Sequence, residues 1–161
     1  MQKITPFLWF NDQAEQAAKF YVGLFKRSKI LSVARYGEEG AEITGRPPGS
    51  VMTVTFRLDG QELTALNGGP HFKFTEAISL VVKCRTQVEV DHFWEKLSKG
   101  GRKGQCGWLK DKYGLSWQVV PTALITLFGD QDPAKSARVM KAMLRMKKLD
   151  IKKLQRAHAG R

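Results

Sequence analysis

The chain has 161 residues, 42% of them hydrophobic, and 27 Lys and Arg against 15 Asp and Glu give a net charge of +12. That length fits one compact domain or two small fused modules, with enough apolar residues for a real core. No run of about 18 apolar residues occurs, which excludes a transmembrane helix, and MQKITPFLWFNDQ lacks a signal-peptide core and cleavage site, so cytoplasm is the expected location.

Residues 3–10, KITPFLWF, read as a first strand. Asn11 and Asp12 offer N-caps for a helix over 13–26, where Ala17, Phe20, Tyr21, Leu24 and Phe25 recur at helical spacing. Residues 29–36, KILSVARY, suggest a second strand, and the Gly- and Pro-rich GEEGAEITGRPPGS reads as a long loop. VMTVTFRLDGQELTALN predicts a hairpin turning at Asp59-Gly60, and GGPHFKF a linker. The pattern then restarts. AISLVVKC predicts a strand, TQVEVDHFWEKLSKG a helix closed by Gly-Gly, and CGWLKDKYGLSWQVVP a hairpin ending at Pro121. After it come three helical stretches, TALITLFG, DPAKSARVMKAMLRMKK with Asp132 as N-cap and Pro133 at the first position, and LDIKKLQRAHAG.

The restart is an internal repeat. A shift of 73 residues lays Phe20, Tyr21 and Leu24 on Phe93, Trp94 and Leu97, and aligning the turn glycines Gly60 and Gly114 lays ELTAL on SWQVV. The expected fold is α+β, two βαβββ modules forming an open, barrel-like mixed sheet with helices outside. Module 1 is placed at about 1–68 and module 2 at about 75–121, with a helical, basic extension over 122–161. Such a unit exposes a sheet face that it cannot bury alone, and a concave face is a natural ligand pocket.

From Ala134 onward ten cations face only Asp150, so this stretch holds nine of the twelve net positive charges. It could contact RNA, DNA or anionic lipid. The favoured reading is a solvated face of amphipathic helices, with Val139, Met140, Met143, Leu144, Met146, Leu149, Ile151 and Leu154 supplying a stripe that packs on the body or on a second subunit. Cys84 and Cys106, both in predicted strands, read as buried reduced thiols and set no disulfide framework.

Two modules of this kind resemble the vicinal oxygen chelate superfamily of glyoxalase I, extradiol dioxygenases and bleomycin-resistance proteins. The Asp111–Gly114 turn with its alternating strand resembles that superfamily's C-terminal signature. ALNGGPHFKF, AISLVVKC, EVDHFWEKLSKGG, CGWLKDKYGLSWQVVP and the tail RVMKAMLRMKKLDIKKLQRAHAG resemble its PhnB-like branch, often labelled 3-demethylubiquinone-9 3-methyltransferase.

The resemblance implies where metal-dependent relatives place their ligands. Carried onto this chain, those positions are Thr5, Thr64, Ala77 and Gln118. The set has no histidine, carboxylate or thiolate, so no catalytic metal and no cofactor is expected. Glu62, His71 and Glu76 are the residues that could still supply a metal ligand. By strand alternation Ile4, Pro6, Leu8, Phe10, Leu115, Trp117 and Val119 are expected under the helices. Thr5, Phe7, Trp9, Thr64, Ser116 and Gln118 are expected to line the pocket, which suits a neutral or aromatic small molecule rather than acid–base chemistry.

Three functions follow as expectations. The first is a metal-free small-molecule-binding protein. The second is an enzyme of the same superfamily: a lyase, a dioxygenase or the labelled methyltransferase. The third is nucleic-acid or partner binding through the basic tail. A Rossmann-type methyltransferase needs a Gly-rich turn between a parallel strand and a helix; no such turn is read in the sequence, and the nearest candidate, Gly68-Gly69-Pro70, is followed by a predicted strand. Sheet edges that need cover suggest a homodimer.

Overall fold

The 73-residue period sets the architecture. In the computed structural model, which describes residues 2–161, β1 (Phe7–Phe10) and α1 (Ala14–Leu24) recur as β5 (Leu80–Cys84) and α3 (Gln87–Ser98). The first module adds β2 (Lys29–Arg35), α2 (Glu38–Thr44), β3 (Val51–Leu58) and β4 (Gln61–Asn67). The second adds β6 (Arg102–Lys103), β7 (Trp108–Lys110) and β8 (Ser116–Pro121), followed by α4 (Thr122–Phe128), α5 (Pro133–Met143) and α6 (Ile151–His158). The chain divides into two compact units, residues 1–73 and 74–161, so the helical tail belongs to the second.

Each unit holds one open, four-stranded mixed sheet, ordered β1-β4-β3-β2 in the first and β5-β8-β7-β6 in the second. The first strand of each module lies parallel to the last, and the remaining pairs are antiparallel. The fold is α+β with the expected βαβββ repeat.

Alternation along the strands decides which face each helix covers. In the first unit Leu8, Phe10, Val54, Phe56, Leu58, Leu63 and Ala65 are buried, and α1 lays Ala14, Ala17, Ala18 and Tyr21 on that face. In the second, Val82, Cys84, Leu109, Trp117 and Val119 are buried with Val90, Trp94 and Leu97 of α3. Each such large aliphatic side chain contributes about 1.5–3 kcal/mol by leaving water.

Several sequence expectations are corrected. The first strand starts at Phe7, so Ile4 is exposed instead of packed under a helix. Neither Asn11 nor Asp12 caps α1. Its first amide, Ala14 N, donates 2.8 Å to Asn67 Oδ1 at the end of β4, a long-range cap that local sequence does not announce. The Gly- and Pro-rich segment is not all loop, because α2 forms within it and ends at the left-handed Gly45. Cys106 lies in a turn rather than a strand, at a φ of 55°. The helix begun at Pro133, capped by Asp132 as expected, stops at Met143 instead of running to Lys148.

The tail packs on its own unit. Val139, Leu149 and Leu154 are fully buried with Leu124, against Val120, Leu127, Phe128, Met143 and Met146. Backbone bonds of 2.8 Å run from Cys106 N to Met146 O and from Gly107 N to Lys147 O. Gln87 of α3 donates to Leu149 O and accepts from Ile151 N. Lys148 holds the Asp91 carboxyl below the usual carboxylate range across a 2.8 Å contact, aided by Gln87. Of the other members of the expected stripe, Ile151 is half-buried, and Met140 and Leu144 stay exposed.

Candidate functional site

The face of each sheet away from its helix carries the candidate residues. In the first unit Phe7 pairs with Thr64 across β1 and β4, and Trp9 pairs with Leu66. Phe7 is 60% exposed. Thr64 Oγ1 lies 3.4 Å from Thr55 Oγ1 on the neighbouring strand. Trp9 is fixed from two sides. Its Nε1 donates 2.9 Å to Gly69 O, and its ring meets Phe72 edge-on at 4.9 Å. Gly68 lies directly against that indole, and a Cβ there would collide with Trp9 Cζ2. Thr5 is half-buried just before β1 begins.

In the second unit, Gln118 pairs with Val81 on one side and Trp108 on the other, while Ser116 pairs with Lys110. Gln118 Nε2 donates 2.9 Å to Ser79 Oγ. Ala77 does not start the fifth strand. It sits exposed in a turn, and β5 begins at Leu80. Ser79, two residues before the partner of Gln118, takes the place in this sheet that Thr5, two before the partner of Thr64, takes in the other. The positions that metal-dependent relatives would fill therefore read Thr5 and Thr64 in one unit and Ser79 and Gln118 in the other.

This donor set does not fit a catalytic divalent metal, which needs several imidazole, carboxylate or thiolate ligands on one point. The three residues that could have supplied such a ligand are otherwise placed. Glu62 Oε2 lies 3.7 Å from Arg57 Nη2, Glu76 Oε1 lies 2.7 Å from Lys110 Nζ, and His71 is exposed between the strands. Among the described residues, no three His, Cys, Asp or Glu side chains cluster so as to hold a metal ion.

A shallow cleft of about 250 Å³ opens on the second sheet, lined by Glu76, Arg102, Gly104, Trp108, Leu109, Lys110 and Ser116. Arg102, Lys110 and Ser116 stand opposite one another across β6, β7 and β8, so they form one row on the same face. The Lys110 ammonium, by its hydrogen bond, holds the Glu76 carboxyl below the ordinary glutamate range. Ser116 is 1% exposed, and its Oγ has no hydrogen-bond partner among the described residues. A buried hydroxyl left so costs roughly 1–3 kcal/mol. Of the residues expected from sequence to line a pocket, Ser116 lies in this cleft and Gln118 is not in its lining, while Arg102, Trp108 and Lys110 carry no sequence signal that names them. Only the pairing of the two-residue strand β6 brings Arg102 into the row.

The turn that starts β8 is built by one carboxylate. Asp111 Oδ1 accepts from Tyr113 N at 2.8 Å and Leu115 N at 3.1 Å, and Oδ2 accepts from Trp117 Nε1 at 2.9 Å. Gly114 closes the turn at a φ of 88°. The landmark Asp–Gly turn thus sets the strand phase. It sends Trp117 under α3 and leaves Gln118 on the open face.

Two repeated βαβββ modules, each with an open mixed sheet covered on one face by its own helix, define the class of protein. Comparison with known proteins narrows it. The model of the 3-demethylubiquinone-9 3-methyltransferase family matches residues 2–120. A PhnB protein from Bacillus cereus carrying the same label is 40% identical, covering 74% of this chain and 99% of its own, with a TM-score of 0.67. The chain belongs to this PhnB-like family. Protein PA1353 from Pseudomonas aeruginosa shares the fold at 17% identity, covering 75% of this chain and 98% of its own, with a TM-score of 0.60. A glyoxylase/bleomycin resistance protein/dioxygenase domain from Frankia sp. EAN1pec matches at 14% identity, covering 75% of this chain and 92% of its own, with a TM-score of 0.45. No curated protein matches the sequence. The family match stops at residue 120, so α4–α6 lie outside it, including the tail segment whose sequence suggested the same branch.

Proposed function

We propose that the chain is a metal-free small-molecule-binding protein of the glyoxalase/bleomycin-resistance kind, with its ligand held on the open sheet faces. The observation that carries this is the donor set. In the first unit the hydroxyls of Thr5 and Thr64 share a face with Phe7 and Trp9, and in the second Ser79 and the Gln118 amide share a face with Trp108; neither face carries a strong metal ligand at these positions. Such a face offers stacking and hydrogen bonds, and neither needs a bound ion.

The methyltransferase label of the family finds no physical support in the chain. Binding a nucleoside cofactor in the Rossmann manner needs a parallel strand leading through a Gly-rich turn into a helix. Gly68-Gly69-Pro70 follows β4 and leads through a turn toward β5. A homodimer belongs to the same reading, supported by the exposed apolar residues Phe7 on edge strand β1 and Val81 on edge strand β5.

Calorimetry with S-adenosylmethionine, run beside a titration of single-ring compounds followed by NMR, separates the readings. The expected result is no cofactor heat and ligand-dependent shifts at Trp9, Trp108 or Gln118. Tight, stoichiometric cofactor binding would overturn the proposal.

A further inference from the structure

We propose that the cleft of the second sheet selects an aromatic monoanion, a single ring bearing one carboxylate. This deepens the small-molecule reading above and rests on it.

The charge of the cleft points to an anion. Arg102 and Lys110 stand side by side across β6 and β7, and Glu76 is the one carboxylate in the lining. Glu76 is already engaged by Lys110 at 2.7 Å. The exposed Arg102 guanidinium has no carboxylate within salt-bridge distance among the described residues, so the lining keeps one positive charge. A guanidinium presents a planar fork that fits a carboxylate through two parallel hydrogen bonds.

The walls point to a ring. Trp108 is half-buried, lines the cleft and stands on the same face of β7 as Lys110, two residues away. Beside it is Gly104, whose N donates 2.8 Å to Trp108 O and where a Cβ would come within 2.8 Å of the same oxygen. No side chain at that position can fill the cleft. The volume of about 250 Å³ lies just below the range of about 300–1,000 Å³ typical of drug-sized ligands. A single ring suits it better than a fused or flexible molecule.

The floor supplies a second polar point. A buried hydroxyl without a partner is uncommon in folded proteins. Ser116 stands in the same row as Arg102 and Lys110, and its Oγ is such a group. A carboxylate oxygen, or a water it carries in, completes that hydroxyl while the guanidinium holds the charge.

The test uses the full chain and two probes of one shape, benzoate and benzamide, titrated into isotope-labelled protein. Benzoate is expected to move the Trp108 indole and Ser116 amide resonances, with a Kd at least about tenfold below that of benzamide. Binding should weaken as salt is raised. Arg102→Gln should remove that preference, and Ser116→Ala should weaken benzoate several-fold. Equal affinity for the two probes, or undiminished benzoate preference in Arg102→Gln, would overturn the anion assignment. Benzoate moving no cleft resonance would also overturn it. In each case a neutral aromatic that still shifts Trp9 or Gln118 leaves the broader small-molecule reading standing, and loss of those shifts as well removes both.

Discussion

Gln118 Nε2 donates 2.9 Å to Ser79 Oγ, joining the last strand of the second sheet to the residue that precedes its first. Where a metal enzyme would place a strong anionic ligand, this chain ties a neutral amide to a hydroxyl. The substitution Gln118→Glu reverses the roles, because the serine can then donate to the carboxylate. Stability should change by less than about 1 kcal/mol in a denaturant titration. Gln118 pairs with Trp108 on the face that carries the cleft, so the new negative charge should repel a bound carboxylate and weaken benzoate binding roughly two- to fivefold in an NMR titration.

Asp111 answers three donors from a nearly fully buried position. Asp111→Ala leaves the Trp117 indole N–H buried without an acceptor and loosens the Asp111–Gly114 turn. The expected cost is about 2–4 kcal/mol, read as a lower Tm. Trp117→Phe should cost less, since two of the three bonds to Asp111 survive.

Gly68 leaves no room for a side chain beside Trp9. Gly68→Ala should push the indole off Gly69 O and out of its edge-on contact with Phe72. The expected readout is a shift in tryptophan emission with a modest stability loss of about 1–3 kcal/mol. An unchanged spectrum would show that the face relaxes without moving the ring.

Cys84 is fully buried, and burial together with the Glu89 carboxylate pushes its thiol up to about 12. In the unfolded chain the thiol ionises near its ordinary value of 9.0, well before it does so in the folded protein. The unfolded state therefore holds fewer protons above that pH, and stability falls as pH rises from about 9 toward 12, by up to about 1.4 kcal/mol per unit from this group. A thiol reagent at pH 8 should leave Cys84 unmodified until denaturant is added. Rapid labelling of the native protein would contradict the burial.

The repeat was legible because both copies follow the same chemistry. Tyr21 and Trp94 fall on the same helical position and both are buried, and the turn glycines Gly60 and Gly114 both take a positive φ. Local strand and turn signals were enough for that. What sequence could not show depends on contacts between distant segments. The Asn67 cap on Ala14 spans 53 residues. The cationic row of Arg102 and Lys110 depends on the pairing of β6, too short to leave an alternating pattern. No turn residue separates Ala77-Ile78-Ser79 from β5, so the sequence alone does not mark that the strand begins at Leu80, and Ala77 rather than Ser79 is expected beside Gln118. The pocket read from sequence was neutral and aromatic, and the cleft on the second sheet is aromatic and cationic.

The most direct test of a metal-free, anion-selecting site is a native mass spectrum of the purified full chain, incubated with manganese, iron, nickel or zinc and then with benzoate. No stoichiometric metal adduct is expected, and a benzoate adduct should form equally well with a chelator present. One ion bound per chain, removed by the chelator together with the benzoate adduct, would contradict it.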